Sequence, residues 1–438
     1  MRIILVCLSF LWVSSAFAQL QIDYKELRLE NGLDVIMHKD NSSPVVSVSI
    51  MYHVGSKNEN PERTGFAHFF EHLLFEGSEN IPRGEYSKYV EKAGGTLNAN
   101  TSFDRTYYFE ILPSNELELG LWLESERLLH AKVDDIGIET QREVVKEEKR
   151  QTMDNRPYGS ILAESMSRAY DGYPYEWPII GSMEHIDAAQ EADYKDFYAT
   201  FYVPNNAVLV VAGDIEYDET ERLVKTYFAD IPAGVGEIPR PNKNPKPLMT
   251  EIRDTIYDNI QLPAVVQVYR TCGIDNPDYY AVDMLGQILS QGESSRLTKS
   301  LVNEQQLALF VGSFPLGLED PGVSLAFGIV NGGVAPETLE AGMDAEVKKL
   351  ATELITDEEF EKLRNQIEVN LINQNGRLSG VAQNLASAKT YFDDASRVNS
   401  ELNRYLSVTK EDIRNAAIEY LTPDKRVVLY YLPKPANP

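Results

Sequence analysis

The chain has 438 residues, 43% of them hydrophobic and 25% charged, an ordinary globular composition with room for two or more domains. Acidic residues outnumber basic ones 67 to 41, for a formal net charge of -26. That balance speaks against nucleic acid, whose phosphates demand clustered Lys and Arg, and against docking on anionic lipid; solubility is its plain reading.

The first residues, MRIILVCLSFLWVSSAFAQ, have the layout of a secretory signal. Arg2 gives the positive start, Ile3 to Trp12 the apolar stretch, and Ala16-Phe17-Ala18 the small-residue cleavage pattern. A signal peptide at 1–18 and a mature start at Gln19 are therefore expected. The apolar run is too short to span a bilayer, and no later stretch is long and apolar enough. Cys7 falls in the signal, and Val6 before it is not small, which argues against a lipid anchor. Cys272 is then the single mature cysteine, so no internal disulfide is expected. An exported protein of this size without disulfides relies on its core, which fits a bacterial periplasm.

Residues 25–55 alternate in the manner of strands, with a hairpin signal at Asn31-Gly32. Helical periodicity follows at about 65–76, 85–93, 115–130 and 135–153. Between the second and third of these lie two strand-like runs, GTLNANT and RTYYFEIL. A further helix near 190–202 leads into the apolar strand Ala207 to Ala212. Strands and helices mix without strict alternation, so the expected class is α+β.

The stretch from Asp230 to Thr250 holds Pro232, Pro239, Pro241, Pro245 and Pro247, which makes it extended and semi-rigid. It divides the mature chain into 19–230, a linker at 231–250, and 251–438, each large piece of plausible domain size. The two pieces end alike, in YVPNNAVLVV from Tyr202 and YLTPDKRVVLYY from Tyr420. Each is a helix end, a Pro-containing turn and an apolar strand, the mark of an internal duplication.

The segment GFAHFFEHLLFEG, Gly65 to Gly77, carries two of the six histidines. Residues i and i+4 share a helix face, with Cβ atoms about 5–6 Å apart, so His68 and His72 can turn their imidazoles to one ion. Glu71 lies on the same side but offset, where it can act as general base on a metal-activated water. H-x-x-E-H is the reverse of the H-E-x-x-H metallopeptidase motif. Phe66, Phe69, Phe70, Leu73 and Leu74 equally describe an amphipathic core helix, and both readings stand on the pentapeptide alone. The segment 138–151, IETQREVVKEEKRQ, is a charged helix whose spacing does not say which glutamate turns inward.

With these motifs the chain resembles the pitrilysin or insulinase-like zinc peptidases, which include mitochondrial processing peptidases. The resemblance is densest in GFAHFFEHLLFEGSENIPRGEYSKYVEKAGGTLNANTSFDRTYY, LPSNELELGLWLESERL, REVVKEE and YPYEWPIIGSMEHID. It implies two homologous α/β domains of about 200 residues each, with mixed sheets flanked by helices. It also implies one Zn2+ per chain held by His68, His72 and Glu148, with Glu71 as base; Glu147 is the alternative ligand. A second-layer glutamate of the family is replaced here by Gln141, which can hydrogen-bond a ligand but adds no charge, so a slightly weaker hold on metal is expected.

In the family the edge strand after the second helix receives a peptide substrate as an added strand, which makes Asn98, Ala99 and Asn100 the substrate-binding candidates. The aromatic stretch Tyr173 to Trp177 reads as packing, and His38, His53, His130 and His185 have no ligand-like spacing. Family members also carry an arginine and a tyrosine in the second half that hold the substrate near the scissile carbonyl. The matching positions here are Val302 and Leu309, and neither side chain donates a hydrogen bond. The resemblance therefore implies a peptidase that works as a heterodimer with a homologous chain supplying the Arg/Tyr pair, a homodimer being the alternative assembly. Some family members are non-catalytic structural subunits, but those lose ligands or base, and all four positions are present here.

Overall fold

A computed structural model describes residues 21–242 and 244–435 of the chain. The signal reading at 1–18 lies outside the described residues. In chain order the first part holds β1 (Lys25–Arg28), β2 (Asp34–Lys39), β3 (Val45–Tyr52), α1 (Phe66–Leu73), α2 (Tyr86–Lys92), β4 (Thr96–Thr101), β5 (Thr106–Pro113), α3 (Leu117–Leu129), α4 (Asp135–Lys149), α5 (Ile161–Ala169), α6 (Met183–Ala188), α7 (Glu191–Phe201), β6 (Ala207–Gly213) and α8 (Tyr217–Phe228). The second holds β7 (Ile252–Asp258), β8 (Ala264–Arg270), α9 (Tyr279–Ser290), β9 (Ala308–Leu316), β10 (Val323–Val330), α10 (Pro336–Thr352), α11 (Asp357–Asn375), α12 (Leu378–Phe392), α13 (Glu401–Ser407), α14 (Lys410–Tyr420) and β11 (Arg426–Pro433). The Pro-rich stretch between α8 and β7 carries no helix or strand among its described residues. No helix among the described residues is long and apolar enough to cross a membrane.

The strands form two sheets, in the orders β1-β2-β6-β3-β5-β4 and β7-β11-β8-β10-β9. Apart from β1, the second repeats the first strand for strand. The senses repeat too: β2–β6 and β7–β11 are parallel, and the remaining neighbours are antiparallel. The two similar chain ends fall on equivalent strands, β6 and β11, each entered through a short Pro-led turn. β6 reads AVLVVAG and is buried along its whole length. That is the pattern of a central strand covered on both faces.

Each sheet has one face on its own helices and the other on a helix from the other half of the chain. The inner face of the first sheet packs on α1 and α3. Its other face takes Val381, Ala382, Leu385 and Ala386 of α12 against Ile36, Met51, Tyr107 and Val210. In return, Met166 and Ala169 of α5, with Tyr170, Tyr173 and Tyr175, cover Val266, Val268, Leu325 and Leu429 of the second sheet. Each fully buried aliphatic or aromatic side chain contributes about 1.5–3 kcal/mol. The exchange of helices therefore ties the two sheets into one cooperative unit.

Candidate metal centre

α1 divides its residues between two environments. Phe66, Phe69, Phe70 and Leu73 are buried. The rings of Phe66 and Phe69 lie 4.6 Å from that of Tyr194, and Phe70 stacks on Phe197. His68, Glu71 and His72 occupy the remaining face and are partly exposed. The helix begins at Gly65, whose φ of 96° is left-handed and whose Cβ position would meet the Ile180 carbonyl at 2.8 Å. Only glycine fits where the 180–181 segment crosses the start of α1. Glu59 closes that start from below: its two carboxylate oxygens accept from the N–H groups of Gly65 and Ala67, each at 2.8 Å.

α4 delivers the third group. Its N-cap Asp134 accepts from Gly137 N–H, and Val145 and Ile138 bury the inward stripe. Glu148 thereby faces α1, with Oε1 3.6 Å from His68 Nε2 and Oε2 3.1 Å from His72 Nε2. The two facing imidazoles, His68 first, hold the Glu148 carboxyl well below the usual carboxylate range. Glu147 is exposed and bonded to Arg150 and Gln151. The 100° step between successive helical residues turns it away from the histidines.

One ligand atom each from His68, His72 and Glu148 lies within 4.8 Å of the others. A tetrahedral ion with bonds of about 2.0–2.1 Å separates its ligand atoms by about 3.3–3.4 Å. The two imidazole–carboxylate distances bracket that value, so this donor set fits a zinc-like ion and leaves one position open. His68 Nδ1 is buried and without a hydrogen-bond partner among the described residues.

Gln141 differs from the expectation. Its amide donates to Glu76 Oε1 at 2.5 Å, and Glu76 in turn accepts from Arg83 at 2.7 Å. No hydrogen bond runs from Gln141 to His68, His72 or Glu148 among the described residues. Seven residues of helix separate Gln141 from Glu148, about 10 Å of axial rise. That brings it beside the chain leaving α1, where a carboxylate is the available acceptor.

Asn98, Ala99 and Asn100 lie on β4, the outermost strand of the first sheet. Ala99 and Leu97 face α1 and pack into the first core. Asn98 and Asn100 alternate to the other face, where Arg105 donates to the Asn100 carbonyl at 3.0 Å. Ala99 N–H bonds the Asn98 side chain at 2.9 Å and so points to the open edge. The same alternation puts Thr101 on the α1 face, and its hydroxyl donates to Glu71 Oε2 at 2.6 Å. The period-two pattern of the strand was the signal that could have singled out Thr101.

The remaining histidines are engaged elsewhere: His38 with the Asp23 carbonyl, His53 with Glu319, His130 with Glu79 and His185 with Thr64. Tyr173, Tyr175 and Trp177 are buried packing residues. In the second half Val302 rests half-buried against the second core, and Leu309 is 54% exposed.

Fold and site together define a class: a duplicated α+β architecture with, among the described residues, one candidate metal centre, on its first repeat. Residues 34–182 match the family model described as Insulinase (Peptidase family M16), and residues 189–367 the one described as Peptidase M16 inactive domain. The chain is 30% identical over 414 residues to a zinc protease PqqE of Helicobacter pylori, covering 94% of this chain and 93% of that one. The crystal structure of a protease from Helicobacter pylori matches with a TM-score of 0.90 at 28% identity, over 94% of this chain and all of that one. The periplasmic protease PqqL from Escherichia coli shares the fold, with a TM-score of 0.74 at 20% identity over 95% of this chain and 48% of that longer one. The chain belongs to the insulinase family, peptidase family M16.

Proposed function

We propose that the chain is a zinc metalloendopeptidase that hydrolyses short or unfolded peptides. The observation that carries the reading is the convergence of His68, His72 and Glu148 with Glu71 alongside them. Relatives named zinc proteases support it. His68, His72 and Glu148 would hold Zn2+, and the ion supplies Lewis acidity that activates water near neutral pH. Glu71 takes a proton from the attacking water and returns it to the leaving amine. The open edge of β4 at Asn98, Ala99 and Asn100 receives the peptide main chain as an added strand.

In this reading residues 19–230 form the zinc-binding domain, 231–250 the linker and 251–438 its homologous partner. The N-terminal signal pattern supports export, with the periplasm as the destination in this reading. Val302 and Leu309 leave the second half without polar groups at the Arg/Tyr positions. The working enzyme is therefore a heterodimer with a homologous chain that supplies them.

Metal analysis combined with Glu71→Gln tests the chemistry. The variant should keep one zinc per chain and lose turnover; a parent chain without zinc, or a variant that still turns over, would overturn it. Assay of the chain alone and with its homologous partner tests the assembly, and full activity from the lone chain would argue for the homodimer.

A further inference from the structure

The base is held from the substrate strand. We propose that Thr101 is a positioning residue for Glu71, a role that rests on reading Glu71 as the general base. Thr101 Oγ1 donates to Glu71 Oε2 at 2.6 Å, within the range of a charge-assisted O–H···O⁻ bond. Glu71 Oε1 takes no hydrogen bond among the described residues. One carboxylate oxygen is thus tethered, and the other is left for the proton of the attacking water.

A glutamate on a partly exposed helix face otherwise has three free torsions, and its carboxylate sweeps a wide arc. The tether is useful only if Thr101 itself is fixed, and it is. Thr101 pairs with Thr106 across the hairpin, and Thr106 Oγ1 donates to the Val54 carbonyl at 2.9 Å. The turn between them closes through Ser102 N–H to the Arg105 carbonyl at 2.8 Å. Asp104, in that turn, is buried and accepts from Tyr175 OH at 2.5 Å and from Glu319 N–H of the second half at 3.0 Å. The hydroxyl that orients the base therefore stands on a braced turn, not on a free loop. It also ends the strand on which the peptide is proposed to dock, so strand and base are aligned by one side chain.

Thr101→Val removes the hydroxyl and keeps the shape, whereas Thr101→Ser keeps the hydroxyl. Each is to be measured in the active assembly for kcat, KM, zinc content and melting temperature. Peptide affinity is to be measured in the Glu71→Gln background with and without Thr101→Val. General-base placement is worth about 10²–10⁴-fold, and loss of orientation alone should cost about 10–100-fold in kcat. KM, zinc content and peptide affinity should stay unchanged, and Thr101→Ser should remain within about threefold of the parent. Parental kcat in Thr101→Val, with Glu71→Gln inactive, would overturn the role of Thr101 and leave the base intact. Weaker peptide affinity on adding Thr101→Val, or a Thr101→Ser as impaired as Thr101→Val, would assign the residue to strand shape instead. Turnover surviving in Glu71→Gln would remove the base reading itself, and this inference with it.

Discussion

Lys57 Nζ lies 2.5 Å from Glu319 Oε2, and this contact ties the segment ahead of α1 to a loop of the second sheet. The ammonium also meets Asp104 at 2.8 Å and Asp320 at 3.3 Å, with every partner at least nine-tenths buried. Burial works against ionisation of Glu319, yet the His53 hydrogen bond and Lys57 together hold its carboxyl below the usual range. Removing the ammonium takes away the cation that three buried carboxylates share. Lys57→Met is expected to cost about 3–5 kcal/mol, the penalty of breaking a buried ion pair from one side. Chemical denaturation checks it. A loss below about 1 kcal/mol would mean that the cluster is hydrated and loosely coupled.

Glu59 gives a pH signature to the anchorage of α1. Burial pushes its carboxyl up to about 8, against the pull of the N–H groups of Ala67 and Gly65. The folded chain then keeps a proton that the unfolded chain has released above the ordinary value of 4.5. This stabilisation is full below 4.5 and is lost as pH rises through about 8, at no more than about 1.4 kcal/mol per pH unit. Glu59→Gln removes the titration and one good acceptor. At pH ~5 it is expected to be about 1–2 kcal/mol less stable than the parent, with the gap closing and then reversing as the pH rises towards ~9. Melting temperatures of the metal-free pair across this range decide it; a gap that does not change with pH would exclude the titration.

What the sequence makes legible here depends on the range of the interaction. His68 and His72 are readable because a four-residue step on a helix fixes their shared face before any tertiary contact exists. The strands β3 to β6 are readable for the same local reason, their period, and the proline content marks the stretch between α8 and β7 that carries no helix or strand among its described residues. Glu148 is reached only through the resemblance, since five carboxylates and three cations crowd α4 with no local mark of which one faces α1. Thr101, Glu59 and the Lys57 cluster escape notice because their partners are distant in the chain or lie on another element. The crossing of α5 and α12 to the opposite sheets is likewise a tertiary choice, made by which apolar face lacks a cover.

Gln141 illustrates the difference between a family position and its local chemistry. Its amide donates to Glu76, whose other oxygen is taken by Arg83. A glutamate at 141 would set two carboxylates against each other with only Arg83 between them. Gln141→Glu is therefore expected to destabilise the protein by about 1–2 kcal/mol and not to strengthen metal binding. Thermal unfolding with a competition titration for zinc checks both parts. A more stable variant with higher zinc affinity would show that the position acts on the ligands after all.

The open edge of β4 offers the sharpest test of how a peptide docks. Ala99 N–H points away from β5 and is occupied by the neighbouring Asn98 side chain, so an incoming strand must displace that carboxamide to pair there. Proline is tolerated on edge strands when its missing N–H faces outward. Ala99→Pro should therefore leave the fold within about 1 kcal/mol of the parent while deleting one docking bond and adding a ring at the edge. Peptide affinity, measured on the Glu71→Gln chain so that nothing is cleaved, is expected to fall at least about tenfold, the equivalent of about 1.4 kcal/mol. Asn98→Ala should bind as well as the parent or better, because it uncovers the N–H and its side chain faces away from α1. If Ala99→Pro binds peptide like the parent while remaining folded, the substrate does not add to this edge, and a different surface beside His68 and His72 must receive it.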